Sequence, residues 1–224
     1  PTVARLARLL AANEQTVEID AEQGLLTGEF GLLPIQQWFF DQGVVNPNHY
    51  NQAFTVQLPE GITDSQLETA IAALVERHDM LRCCFEQKEG QWRQRYTDSS
   101  PSAPFQHHDI SNLNEDSLFQ ILTDYQTHFD IEQGPLWQVV RLTDEKAGTR
   151  QLFFALHHLV VDAVSWRIIA DDLQLLLSGK ELPAKTSSYR QWVEAIKHYA
   201  KAAVTDKEEV RYWQSVCSDM QVVK

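Results

Sequence analysis

The chain has 224 residues, of which 43% are hydrophobic and 22% are charged, a composition typical of a globular protein with a substantial core. Its formal net charge of −12 makes a nucleic acid or an anionic membrane surface an unfavourable partner. The apolar runs are too short to span a bilayer, and the N-terminal residues are too charged for the core of a signal peptide.

Alternating polar and apolar residues predict the strands. The earliest is "HYNQAFTVQL" over 49–58, which is rich in β-forming residues. The stretches "LRCCFEQ" and "QWRQRYT" flank "KEG" and predict a hairpin. A second strand pair, "LWQVVRL" and "RQLFFALHH", flanks "TDEKAGT".

Apolar residues at helical spacing predict the helices. The predicted ranges are 2–12, 65–78, 115–129, 164–177, 188–203 and 206–217. Asp64 is the predicted N-cap of the second of these helices, and Gly179 the predicted stop of the fourth. Together with the strands, these helices predict an α+β fold in which a mainly antiparallel sheet is covered by helices.

Three cysteines, Cys83, Cys84 and Cys217, cannot all be paired within the chain, and none has the spacing of metal ligands. Cys83 and Cys84 are neighbours in a predicted strand, so their side chains are expected on opposite faces. This cysteine usage favours the cytoplasm as the compartment.

The segment "FFALHHLVVDAVSW" places two adjacent histidines where a predicted strand ends. Successive side chains of a strand point to opposite faces, so His157 and His158 are not expected to share one site. One ring faces a cleft or the solvent, and the other packs behind the sheet. Asp162 and Ser165 fall in the turn before the next helix, where either can cap its first turn.

Two other uses of these residues are possible, and the sequence disfavours both. Zinc binding by both rings is disfavoured because the rings face apart. A Ser165–His158–Asp162 triad is disfavoured because the segment lacks a nucleophile elbow and Ser165 has a simpler role as a cap. The stretch "FQHHDI" at 105–110 also holds His-His-Asp, but no apolar strand precedes it and no apolar helix follows it. It predicts an edge strand that runs into a loop.

The stretch "HHLVVDAVSW" resembles the His-His-x-x-x-Asp signature of the condensation superfamily of nonribosomal peptide synthetases. Ser165-Trp166 and Ala163, where condensation enzymes usually have glycine, resemble the epimerization branch of that superfamily. Four further stretches resemble its motifs in the expected order: "LPIQQWFF", "ERHDMLRCCF", "FDIEQGPLWQVVRL" and "SSYRQWVEAI". The resemblance covers about residues 30–217.

The resemblance implies a lobe with the chloramphenicol-acetyltransferase fold, because family members are pairs of such lobes. Residues 30–224 are then expected to be the N-terminal lobe of an epimerization domain, with a linker at 13–29. Residues 1–12 resemble the last helix of an upstream peptidyl carrier domain. The C-terminal lobe, with a glutamate-bearing motif, is expected outside these 224 residues.

The implied activity is conversion of an L-aminoacyl or peptidyl thioester to the D form. The substrate is delivered on the 4′-phosphopantetheine arm of a carrier protein, and no cofactor or metal is expected to be bound by the chain itself. Alternatives are a condensation domain that forms peptide bonds, or an inactive lobe that only docks a carrier protein or a second lobe.

The resemblance also implies the roles of individual residues. His158 is expected to be the catalytic acid–base group, with His157 packing behind it. Asp162 is expected to be structural and to pair with Arg82. Trp166 is expected either to shape the wall of the site or to be an aromatic core residue.

Overall fold

Residues 20–98 and 105–220 are described by the computed structural model, and their seven strands form two sheets. The smaller sheet is antiparallel, with the order β1-β4-β3, and consists of β1 (Gly28–Phe30), β3 (Cys83–Lys88) and β4 (Gln91–Tyr96). The larger sheet has the order β2-β7-β6-β5. Its strands are β2 (Asn51–Gln57), β5 (Phe105–Asp109), β6 (Trp137–Asp144) and β7 (Thr149–His157). β5 runs parallel to β6, and the other neighbours are antiparallel.

Six α-helices lie in the described residues: α1 (Pro34–Asp41), α2 (Asp64–Arg77), α3 (Glu115–Thr127), α4 (Ala163–Leu177), α5 (Tyr189–Ala203) and α6 (Lys207–Met220). Short 3₁₀ turns occupy Pro47–His49 and Asp79–Arg82. The predicted α+β class and both predicted hairpins are confirmed. No described helix combines the length and the apolar character that crossing a membrane requires.

The predicted ends of three helices compare differently with the structure. The N-cap of α2 is Thr63, whose side chain accepts the backbone N–H of Gln66, while Asp64 lies in the first turn and pairs with Arg141. The prediction of Asp64 as the cap was therefore wrong by one residue. Gly179 follows the end of α4 with φ of +72°, a conformation that glycine adopts without strain, so the predicted stop is confirmed. The helix predicted over 2–12 lies outside the described residues.

The core lies between the larger sheet and the helices that cover it. β6 and β7 are the interior strands of the larger sheet, and the last six residues of β7 are all buried. α2 packs against α4. The helix side chains buried there are Leu67, Ile71, Leu74, Ile169 and Leu173. Each such side chain contributes about 2 kcal/mol of burial free energy. This packing holds α4, and with it the turn between β7 and α4, against the sheet.

Residues 20–24 are held against the start of α5 and the loop before it by polar contacts. The Gln191 side chain donates to the carbonyl oxygen of Asp20 at 2.8 Å, and Glu22 pairs with Arg190. Lys185, in the loop before α5, donates to the carbonyl oxygen of Gly24 at 2.6 Å. The part of the predicted linker that the structure describes is therefore docked, and its last two residues begin β1.

Candidate functional site

A cavity of about 890 Å³ opens beside the turn that joins β7 to α4. Its size is that of a site for a small-molecule substrate. Apolar side chains such as Ile35, Trp38 and Trp192 line part of it. The titratable residues that line it are Glu22, Tyr50, Arg77, His78, Asp79, Tyr96, His158, Asp162, Asp172, Lys185 and Tyr189.

His158 is the half-buried histidine of the adjacent pair, and it lines this cavity. Its Nδ1 lies 2.8 Å from the carbonyl oxygen of Val161. Because a carbonyl oxygen can only accept, Nδ1 carries the hydrogen and Nε2 of the neutral ring has the lone pair. The Gln52 side-chain nitrogen lies 3.2 Å from this Nε2, and the Tyr50 ring stacks at 5.2 Å between centroids. The backbone therefore fixes which nitrogen of the neutral ring can accept a proton.

His157 is 0% exposed and has the opposite tautomer. Its Nε2 donates to the carbonyl oxygen of Pro47 at 2.7 Å, and its Nδ1 accepts the backbone N–H of Leu159 at 3.2 Å. Burial lowers the pKa of His157 to about 4, although the bond to Pro47 acts in the opposite direction. The ring is neutral at pH 7 and joins the turn after β7 to the segment before β2. The two rings point apart, as strand alternation predicts.

Asp162 and Ser165 form a reciprocal cap on α4. The Asp162 carboxylate accepts the backbone N–H groups of Val164 and Ser165 at 3.0 and 2.8 Å. The Ser165 hydroxyl donates to the same carboxylate at 2.8 Å and accepts the Asp162 N–H at 3.2 Å. The bonds from Ser165 lower the pKa of Asp162. Neither side chain is hydrogen-bonded to His158 among the described residues, so these three residues do not form a triad.

A family model described as "Condensation domain" matches residues 27–223. The chain belongs to the condensation domain family. It is 38% identical over 208 residues to N-(5-amino-5-carboxypentanoyl)-L-cysteinyl-D-valine synthase of Amycolatopsis lactamdurans, a match that covers 93% of the chain and 6% of that relative.

Solved structures with this fold include both branches of the superfamily. The crystal structure of the epimerization domain from the third module of tyrocidine synthetase B has a TM-score of 0.79 and 32% identity, covering 88% of the chain and 45% of that domain chain. The starter condensation domain of rhizomide synthetase has a TM-score of 0.69 and 20% identity, covering 85% and 48%. The chain thus spans less than half of either solved chain and is a condensation-superfamily domain of the nonribosomal peptide synthetase type.

The structure of this condensation-family chain contradicts the predicted pairing of Asp162 with Arg82. Arg82 is 1% exposed, and its guanidinium bonds to Asp79 and to the carbonyl oxygens of Leu26 and Thr97. No ion pair joins Arg82 to Asp162 in the part of the chain that the structure describes. The prediction was wrong because Asp79, three residues before Arg82, supplies the buried counter-charge and Asp162 is used to cap α4.

Trp166 is not among the described residues that line the cavity. Its ring stacks on Phe54 of β2 with 5.2 Å between centroids, and Phe54 stacks in turn on Phe154 of β7 at 4.9 Å. Of the two roles expected for Trp166, the structure favours the aromatic core residue. The stack fixes α4 to the larger sheet and so holds the turn that carries His158.

Several residues of the site were missed by the sequence analysis. Gln36 and Gln94 exchange side-chain hydrogen bonds at 3.0 Å, and Gln36 also donates to the carbonyl oxygen of Leu159 at 3.3 Å. These bonds support the turn directly after His158. Gln36 lies within the quoted motif "LPIQQWFF", but the motif alone does not show that this glutamine is buried.

A second histidine of the cavity, His78, bonds to Asp172 of α4 at 2.8 Å. Burial lowers the pKa of His78, and Asp172 partly opposes that shift. Sequence spacing gave no signal for this pair, because α2 and α4 are far apart along the chain. Among the described residues, no cluster of three or more His, Cys, Asp or Glu side chains is arranged to hold a metal ion.

Proposed function

We propose that residues 30–224 form the N-terminal lobe of an epimerization domain, which inverts the α-carbon of an aminoacyl or peptidyl thioester. The single observation that carries the proposal is His158, whose backbone-fixed tautomer presents a basic Nε2 in a substrate-sized cavity. The 32% identity to the tyrocidine synthetase epimerization domain supports this branch of the superfamily. The pair Ser165-Trp166 and the residue Ala163 support it as well.

The proposed chemistry begins when the substrate displaces the Gln52 N–H from the lone pair of His158 Nε2, and the α-proton is transferred to that nitrogen. The electron pair of the broken C–H bond moves toward the thioester carbonyl oxygen and gives an enolate. Return of a proton to the opposite face of the α-carbon gives the D form and restores the thioester. Inversion therefore needs a second acid–base group on the other face, which we expect to be a glutamate of the C-terminal lobe.

The substrate is proposed to arrive on the 4′-phosphopantetheine arm of a peptidyl carrier domain. A cavity of about 890 Å³, lined in part by apolar side chains, leaves room for an aminoacyl group and the end of such an arm. The proposed partners are thus the carrier domain and the C-terminal lobe of the same domain. The expected carrier helix at 1–12 lies outside the described residues.

The test is α-proton exchange in deuterated water, measured by mass spectrometry on a carrier loaded with an L-aminoacyl thioester. The complete domain should exchange and produce the D form, and His158→Ala in that domain should not. The 224-residue chain alone should exchange little, because it supplies only one of the two acid–base groups. Unchanged exchange by the His158→Ala domain would overturn the proposal.

Peptide-bond formation is the second candidate, because the matching family model carries the description "Condensation domain". In that reaction His158 would take a proton from the amine of an acceptor aminoacyl group. The same loaded carrier, offered together with a second loaded carrier, separates the two candidates. Epimerization gives a D-aminoacyl thioester on the first carrier, whereas condensation gives a dipeptidyl thioester on the second.

A further inference from the structure

Gln52 lies on β2, opposite Leu156 of β7, and it reaches His158 across the strand pair. Its side-chain nitrogen lies 3.2 Å from Nε2 of the ring. Its other amide atom, Oε1, is buried and has no hydrogen-bond partner within residues 20–98 and 105–220. A buried amide oxygen without a partner is uncommon in folded proteins, which makes this residue stand out.

The orientation of the Gln52 amide matches only one charge state of His158. Nδ1 is committed to the Val161 carbonyl, so Nε2 accepts from Gln52 when the ring is neutral. Once Nε2 is protonated it becomes a donor and faces the NH₂ group, which is also a donor. Rotation of the amide by about 180° replaces the NH₂ group with Oε1, which can accept the new N–H.

Nothing among the described residues holds the Gln52 amide in its present orientation except the ring itself. If Oε1 were bonded elsewhere, rotation would break that bond. Because Oε1 is unpartnered, rotation sacrifices no protein hydrogen bond. The bond formed after rotation is charge-assisted and therefore stronger than the bond that it replaces.

We propose that Gln52 is a positioning residue that rotates its amide with the charge of His158 and favours the imidazolium. Only one part of this proposal rests on the proposed function, namely that the His158 imidazolium forms during proton transfer. Gln52 holds the ring against the turn in both charge states, so the ring does not swing away between taking up and returning a proton.

The experiment is a ¹⁵N NMR titration of the histidine side chains in the 224-residue chain. The signals of His158, one of eight histidines, are identified by their loss in His158→Ala. Gln52→Leu removes the hydrogen bond to the neutral ring and the one proposed for the imidazolium. Because the second bond is the stronger, we expect the His158 midpoint to move about one pH unit lower. Gln52→Glu places a carboxylate beside Nε2, and we expect the midpoint to move at least about one unit higher. Gln57→Leu changes an exposed glutamine at the other end of β2 and should leave the midpoint unchanged.

Other titratable groups near His158 are the same in all variants. They are His157 behind it, Tyr50 stacked on it and Asp162 at the start of α4. If Gln52→Leu does not fold, Gln52→Met serves as the variant without an amide, and the same downward shift of the His158 midpoint is expected. Midpoints that stay within about 0.2 unit in every folded Gln52 variant would overturn the proposal.

Activity in the complete domain gives a second readout. Gln52→Leu should lower kcat for α-proton exchange about tenfold with little change in KM, because it affects the charged ring and not substrate binding. An unchanged kcat would overturn the catalytic part of the proposal. If the His158 midpoint shifts as expected but the His158→Ala domain retains exchange, the rotation of Gln52 is supported and the proposed function is contradicted.

Discussion

The larger sheet carries two His-His segments that are followed by an aspartate, and the structure puts them to different uses. His107 and His108 lie on β5, at the edge of the sheet, where their Nε2 atoms contact Thr143 Oγ1 at 2.9 Å and Tyr125 Oη at 2.7 Å. Asp109 accepts from the backbone N–H of Ser111 at 2.9 Å in the following turn. None of these three residues is among the described residues that line the cavity.

The pair at the end of β7 differs because β7 is an interior strand. β2 and β6 cover both of its edges, so His157 has no route to water and burial lowers its pKa to about 4. The turn that follows leads directly into α4 and leaves His158 at the cavity. The same residue types become a candidate base in one place and surface contacts in the other, so position in the sheet decides their chemistry.

The largest expected difference concerns activity. In the complete domain, His158→Ala should lower the rate of α-proton exchange by about 10²–10⁴, the contribution typical of a positioned general base. His108→Ala is the matched change on β5 and should leave the rate within about twofold of wild type. Equal losses in the two variants would remove the functional distinction between the segments. The measurement is deuterium incorporation against time on the loaded carrier.

The next difference concerns stability. His157→Ala leaves a cavity in the core and strips the Leu159 N–H and the Pro47 carbonyl of their partner, so we expect a loss of about 3 kcal/mol in the free energy of unfolding. His107→Ala removes an exposed ring and should cost less than about 1 kcal/mol. Urea denaturation of the 224-residue chain at pH 7.5 measures both values. A loss for His157→Ala as small as that for His107→Ala would contradict the packing role.

A pH dependence follows from the lowered pKa of His157. In the unfolded chain His157 has an ordinary pKa of about 6.5. Below that pH the ring is protonated in the unfolded state and stays neutral in the folded state. Stability contributed by the neutral ring is therefore complete above about pH 6.5 and is lost as the pH falls toward 4. Between pH 7 and pH 5 we expect this residue to account for a loss of about 2 kcal/mol.

The variant His157→Gln isolates that contribution, because His78 and the carboxylates titrate alike in both proteins. Its free energy of unfolding should fall less steeply with acid than that of wild type, while His107→Gln should follow the wild-type curve. Parallel curves for all three proteins would mean that His157 does not resist protonation in the folded state.

The smallest difference concerns the aspartates. Asp162→Ala removes the cap of α4 and should cost about 1 kcal/mol, whereas Asp109→Ala affects only an exposed turn and should cost less. Because Arg82 pairs with Asp79, the effects of Asp162→Ala and Arg82→Lys should add within about 0.5 kcal/mol. Strong coupling in this double-mutant cycle would restore the pairing that the structure contradicts.

Sequence reasoning succeeded where the signal is local. Alternation over "QLFFALHH" placed β7 and separated the two rings, and the aspartate and serine of "VDAVSW" indicated the cap on α4. The edge position predicted for "FQHHDI" is also confirmed. Each of these features depends on residues within a few positions of one another, and their geometry follows from the backbone period.

The features that the sequence did not reveal depend on contacts between distant segments. Gln52 meets His158 only because β2 pairs with β7, and Asp172 meets His78 only because α4 packs on α2. The pairing of Arg82 with Asp162 came from the resemblance alone, and the local pair of Arg82 with Asp79 was not predicted. The strand β1 has only three residues, too few for alternation to be detected.

The docking of residues 20–24 has a mechanical consequence. Glu22, Lys185 and Ser188 line the cavity and also form the contacts that hold this segment against α5. A force applied to the chain before residue 20 would therefore be transmitted first to the rim of the cavity, ahead of either sheet. The polar contacts of residues 20–24 are thus part of the cavity wall itself.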